Sequence, residues 1–321
     1  MTALSTLVLC SDGTGESGGT PHGTAHRWDT CFALEATPRR WDAMRDASTW
    51  GQPQRETFGR LGEQVQATGL GYGLLMFAPQ EEPLPGDLFR VRLYTRPAGT
   101  FTGYQRRDYH LDDAGLWHLM EAAVLGRDVS ALEDRQTPTP TGRDWHVCTH
   151  GRVDAACGKF GIPLQAALAE QSGNGERVWR TSHFGGHRFA PTLQELPAGR
   201  TWAHMTTELT TQLMARTGDH LPLAARLRGS SAFDRWAQVA EAHAFARLGW
   251  WWLDAPKTLT TVQAEAERAT VRLAFVQPDG LPASLTAQIQ VTHTLEVRGS
   301  SHKSATNPAP QYSVTFAEAS G

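Results

Sequence analysis

Strand-like and helix-like segments alternate along this chain in two successive rounds, parted by the polar, proline-bearing segment RQTPTPTGRD. That order limits the fold more than any single residue does. In the first round TCFALEA reads as extended and ETFGRLGEQVQATG as helical. GYGLLMFAP, DLFRVRLYTR and TFTGYQRRDYHL then read as strands, and LWHLMEAAVLG as a helix. In the second round DWHVCTH is a short β-rich run, IPLQAALAEQSG a helix with Pro163 in its first turn, and ERVWRTSH a strand. PTLQELP and GRTWAHM make a hairpin turning at Ala198 and Gly199, and TTELTTQLMARTG a helix ending at Gly218.

The second succession, βαβ then ββα, matches a thioredoxin-like layout, and the first repeats it loosely. We therefore expect an α/β (α+β) protein: an N-terminal α/β domain over 1–138, read as a degenerate thioredoxin-like repeat, and a thioredoxin-like domain over 139–228. A C-terminal helix and antiparallel strands fill 229–321. In that last part SAFDRWAQVAEAHAFARLGWWWL reads as one long amphipathic helix, with Trp250, Trp251 and Trp252 as packing residues. Three β-prone stretches follow, the clearest being SLTAQIQVTHTLEVRG, and SSHKSATNPAPQ reads as a loop.

Two pairs of soft ligands stand in the second round: Cys148 and Cys157 in VCTHGRVDAACG, and His183 and His187 in SHFGGHRFAPT. Each pair begins where a strand gives out, the usual place for chemistry in an α/β sheet. Two thiolates and two imidazoles brought to one point suit a transition metal or an iron–sulfur cluster; otherwise they are two buried cysteines and two satisfied loop histidines. Eight residues separate the cysteines, more than the two to four of a common zinc knuckle. Gly185 and Gly186 between the histidines disfavour a helix, so the pair belongs in a loop, and Phe184 stands where the HExxH metalloprotease pattern needs glutamate. His146 alternates onto the Cys148 face and is expected to line the site. His150 is a supporting donor or alternative ligand, whereas Cys10 and Cys31 read as small buried hydrophobes.

Other chemistry is weakly supported. Gly13, Gly15 and Gly18 satisfy GxGxxG, with Glu35 near the distance of a ribose-binding acid, and Gly15, Ser17 and Gly19 satisfy GxSxG. Both motifs need a helix to start at once, and Gly19, Pro21 and Gly23 follow instead, so a nucleotide-dependent enzyme is a distant third reading. No CxxC dithiol is present, and a net charge of −3 without a basic run argues against nucleic acid. No export signal or apolar span near the roughly 20 residues of a membrane helix is seen, so the expected location is the cytoplasm.

At these residues the chain resembles the sucrase/ferredoxin-like family. PHGTAHRWDTCFALEATPRRW resembles the family's N-terminal segment, VCTHGRVDAACGKFGIPLQAALAE its cysteine loop and helix, and VWRTSHFGGHRFAPTLQELPAGRTWAHM its histidine loop and hairpin. LRGSSAFDRWAQVAEA resembles its C-terminal helix entry. The resemblance implies a thioredoxin-like ferredoxin domain with a [2Fe-2S] cluster held by Cys148, Cys157, His183 and His187. It also implies one-electron transfer coupled to protonation of a His ligand, with a reductase as electron donor and a separate acceptor. Val153 stands where members commonly have arginine, and Ala156 where many have a second adjacent cysteine; neither change removes a ligand. The runner-up is a structural or regulatory zinc-binding module without redox activity. No glycosidase carboxylate pair is evident despite the family's name.

Overall fold

The computed structural model describes residues 9–11, 19–126, 129–173 and 175–318. The glycine motif positions Gly13, Gly15, Ser17 and Gly18 fall outside them. The first round forms β1 (Thr30–Glu35), the short α1 (Trp41–Arg45), α2 (Gln52–Thr68), β2 (Tyr72–Phe77), β3 (Phe89–Thr95), β4 (Gln105–Leu111) and α3 (Asp113–Leu125). After the two-residue β5 (Gln136–Thr137) come β6 (Asp144–Cys148), α4 (Ala155–Gln171), β7 (Arg177–Thr181), β8 (Leu193–Leu196), β9 (Arg200–Trp202) and α5 (Thr207–Ala215). The chain goes on through α6 (Leu221–Ala224), β10 (Leu227–Ser230), α7 (Arg235–Leu248) and α8 (Trp251–Asp254). It finishes as β11 (Lys257–Ala264), β12 (Arg268–Val276), β13 (Pro282–Ser300) and β14 (Lys303–Glu318).

Ten strands make one sheet in the order β10-β9-β8-β6-β7-β2-β1-β3-β4-β5. Within it β1 and β2 are parallel while β3 and β4 run antiparallel beside β1, and β6, β7, β8 and β9 repeat that arrangement. Each round thus has the mixed four-strand order of a thioredoxin-like core. The rounds meet edge to edge where β2 pairs antiparallel with β7 at Phe77 and Thr181. Ser182 donates its backbone N–H to Met76 O (2.8 Å) and Ala78 donates to Arg180 O (2.9 Å). Across the seam, Arg92 and Arg106 of the first round ion-pair with the fully buried Asp144 of β6, which Arg177 and Trp179 also hydrogen-bond. A buried carboxylate needs such partners, and these come from both rounds.

One face of β1, β2, β3 and β4 puts Phe32, Leu34, Met76, Val91 and Tyr109 into one core with α3 residues such as Leu116 and Leu119. A larger core joins Trp145, Val147, Leu164 and Leu168 to α7 and to the four-stranded antiparallel sheet β11-β12-β13-β14. Trp252 is fully buried and Trp250 and Trp251 pack against that core, as expected of packing tryptophans.

Four expected boundaries move. The helix read from Ile162 begins instead at Ala155, because the Asp154 carboxylate accepts the Ala156 N–H (3.0 Å) and caps it; Pro163 lies inside the helix, not in its first turn. The helix expected to end at Gly218 ends at Ala215, with Arg216 in the left-handed region (φ 54°). The long helix breaks at Gly249, whose φ of 79° and ψ of −163° no helix continues, so α7 and α8 are separate. The segment expected as a loop is instead the start of β14, paired with β13 through Arg298↔Thr306 and Thr294↔Pro310. Its prolines sit on the edge strand of the sheet, where a missing N–H costs the ladder least.

Candidate metal centre

Central β6 lies between parallel β7 and antiparallel β8, so all five of its residues are buried and Cys148 is delivered to the floor of the sheet's end. The chain then turns through His150–Val153, and Asp154 starts α4. Cys157 follows in the first turn, its backbone N–H donating to the Asp154 carbonyl (3.1 Å). Helix α4 fits this close to β6 only because of a glycine. A Cβ on Gly161 would stand 1.9 Å from the Cys148 carbonyl oxygen. Opposite, β7 ends at Thr181 and a loop carries His183 and, at the start of a single 3-10 turn, His187. Gly185 and Gly186 adopt φ of 95° and 79°, and a Cβ on Gly186 would meet the Arg228 guanidinium at 2.5 Å. The loop expected from these glycines is therefore required twice, by backbone conformation and by close approach.

The Cys148 and Cys157 sulfurs and His183 Nδ1 lie within 4.8 Å of one another, with both sulfurs 3.7 Å from that nitrogen. The His187 ring is beside His183, centroids 5.3 Å apart, but its Nδ1 faces a second group: Asp154 Oδ2 at 3.3 Å and Cys10 Sγ at 3.3 Å. The structure thus brings three of the four expected ligands together by their donor atoms. His187 adjoins them by its ring, with Nδ1 turned to a carboxylate. A proton on Nδ1 donated to Asp154 leaves Nε2 as the nitrogen for a metal, the usual outer support of a ligating imidazole.

Burial works against ionising Cys148, but a hydrogen bond from Cys157, the His183 ring and the His150 backbone N–H outweigh it and hold that thiol well below its ordinary range. Cys157 moves the other way: its hydrogen bond to Cys148, and burial, push its thiol up. The pair shares one proton readily and gives up the second only to a strong positive charge, which a metal ion supplies. Arg228 is buried nearby. Burial and Arg188 lower it to about 10 while the two thiols oppose that shift, so it remains a fixed cation at neutral pH.

The surroundings were only partly foreseen. His150 is a supporting residue: its Nδ1 accepts the His183 N–H (3.4 Å) and its Nε2 reaches Asp42 Oδ1 (2.8 Å), while its ring meets Trp41 edge-on. Arg45 donates to the His183 carbonyl (3.1 Å), so α1 of the first round braces the histidine loop of the second. His146 shares the Cys148 strand face but is not among the converging donors. Its ring lies 6.5 Å from that of Phe77, both nitrogens lack partners among the described residues, and burial lowers it to about 3. Cys31 is a buried hydrophobe as expected, but Cys10 is more than that, since its buried thiol touches His187 and Asp154. Asp154 carried one legible signal, a helix-capping aspartate before AAC. Ser301 carried none: the turn between β13 and β14 donates Ser301 Oγ (2.5 Å) and N–H (2.8 Å) to Asp154, and with other hydrogen bonds these outweigh burial and lower that carboxyl to about 2. Glu35, weighed as a ribose-binding acid, is paired with Arg90 at 2.9 Å.

No helix among the described residues is long and apolar enough to cross a membrane. No curated protein and no solved structure matches the chain. The family model described as sucrase/ferredoxin-like matches residues 22–229, a stretch that contains Cys148, Cys157, His183 and His187 but neither Cys10 nor Ser301. With about two thirds of its length matched, the chain belongs to the sucrase/ferredoxin-like family.

Proposed function

We propose that this chain is an electron-transfer protein whose Cys148, Cys157, His183 and His187 hold a [2Fe-2S] cluster. The observation that carries the reading is the meeting of two buried thiols with His183 Nδ1, beside a second imidazole whose ring is oriented by a carboxylate. The donor set fits the group: two soft anionic ligands and two neutral ones, in a pocket where Arg228 offsets negative charge. When bound, such a cluster supplies one-electron transfer, at a potential raised by replacing two thiolates with neutral imidazoles. The chain's own residues do the rest. Asp154 accepts the hydrogen bond that His187 donates from Nδ1, and His150 and Arg45 fix the backbone of His183. A ligand ring would take up the proton that accompanies each electron entering such a cluster, with a reductase as donor and a separate acceptor.

Anaerobic purification with iron and sulfide analysis tests this directly. Iron and acid-labile sulfide in equal amounts, with visible charge-transfer absorption, are expected. Colourless protein with stoichiometric zinc would favour the zinc module, for which the three-donor group Cys148, Cys157 and His183 already suits a single ion. In the cluster-loaded protein the potential should fall as pH rises, with a slope approaching about 59 mV per pH unit. His187→Cys should lower the potential and flatten that slope; an unchanged curve for it and for His183→Cys would remove proton coupling.

A further inference from the structure

Beside the histidine loop lies a cleft of about 290 Å³ that none of the roles above uses. His183, Phe184, Gly185 and Trp28 line it together with the exposed Leu74, His26 and Arg45. Gln194, Thr201 and Ser231 also line it, each almost wholly buried, at 4%, 3% and 1% exposure. We infer that this cleft binds a small planar aromatic anion, of the benzoate type, against the edge of His183.

Three features of the lining select that class. No acidic side chain contributes to it, whereas Arg45, His26 and His183 all do, so no lining carboxylate repels a negative ligand. Arg45 uses one guanidinium N–H on the His183 carbonyl, and its planar fork keeps other donors for a carboxylate. The aromatic wall is rigid. Trp28 is stacked on Tyr104 with centroids 3.9 Å apart, Tyr104 donates its hydroxyl to the Trp28 carbonyl (2.7 Å), and Trp28 N–H donates to Ser231 O (3.0 Å). A preformed wall of this kind favours a flat ring, because little side-chain freedom is lost on binding. In addition, the buried Ser231 hydroxyl has no hydrogen-bond partner among the described residues. A buried hydroxyl without a partner is costly, and a polar group on a bound ligand would satisfy it.

The inference deepens the proposed function, because it places a small-molecule site beside one of the proposed ligands, and its test is built to fail separately. Titration calorimetry of the protein as purified, with benzoate, the neutral isostere benzamide and inorganic phosphate as probes, reads the cleft whatever metal is present. Saturable benzoate binding is expected, weakened roughly tenfold or more for benzamide and in Arg45→Ala, in line with loss of a charge-assisted hydrogen bond. Leu74→Trp, a change at an exposed position on the rim, should abolish binding by filling the mouth while leaving the thermal transition in place. In iron-loaded protein, benzoate should also perturb the paramagnetic resonance spectrum of the reduced centre, and not in Leu74→Trp. Benzoate binding with zinc in place of iron would keep the cleft and remove the electron-transfer reading. Absence of benzoate binding, binding unchanged in Leu74→Trp, or phosphate binding as tightly as benzoate would each overturn the inference even with the cluster present.

Discussion

The two rounds of the ten-stranded sheet share one strand order but carry opposite chemistry at equivalent places. At the end of β6 stand Cys148 and, one turn into the next helix, Cys157; at the end of β1 stands Glu35, neutralised by Arg90. The turn after β7 carries His183 and His187, whereas the turn after β2 carries prolines and the acids Glu81 and Glu82. The first round is not idle. Its extra helix α1, lying between β1 and α2, sends Trp41, Asp42 and Arg45 across the seam to brace His150 and the histidine loop. Repeating a fold therefore lets one copy hold donor atoms and the other hold the holders. The same division shows in the helices. Helix α4 must press onto Cys148, while α2 covers its sheet with glycines facing open space.

The largest test of that contrast is a pair of glycine substitutions. Gly161→Ala puts a methyl into the Cys148 carbonyl and should destabilise the protein by about 3 kcal/mol or more, read as a fall in the urea midpoint, with loss of bound metal. Its counterpart Gly62→Ala in α2 meets nothing within 4 Å and should stabilise by about 0.5–1 kcal/mol, the smallest effect expected here. Equal effects at the two sites would mean that α4 does not lie as tightly as the structure has it.

Acid should separate the rounds next. Burial lowers His22 to about 4, and its unfolded imidazole takes a proton near 6.5. The neutral form thus favours the folded state fully above pH 6.5, and up to about 3 kcal/mol of stability is lost as pH falls through that window toward 4. His204 behaves alike, also at about 4, and both pack near the β9–β10 edge, whereas His110 and His118 of the first round are not buried. Hydrogen exchange at pH 5 against pH 7 should show β8, β9 and β10 loosening before β1, β3 and β4; simultaneous loss would erase the contrast. Smaller still is Asp42→Asn. It keeps both folds but should weaken metal retention in a chelator competition roughly tenfold, because His150 loses the carboxylate that orients it. No change would reduce α1 to a spacer.

The order of short apolar runs and helical stretches outlined the two rounds, since strands such as β1, β6 and β8 are buried on both faces and must lie inside a sheet. It failed where contact outweighs propensity. Gly158 and Gly161 hid the first two turns of α4, because their cost to a helix is visible in sequence and the closeness they permit is not. Pro308 and Pro310 made β14 look like a loop, because only the sheet shows that it is an edge. For the site, residue type and strand-end position singled out Cys148, Cys157, His183 and His187 within a few dozen residues of one another. Soft donors are rare and strand ends are where a sheet offers them. What waited for the tertiary structure was everything brought from afar: Cys10 and Ser301 to Asp154, Arg228 to the glycine loop, and α1 to His150. Local pattern decides which backbone hydrogen bonds can form, but which distant side chains meet depends on how the layers close over one another, and no short stretch of sequence encodes that.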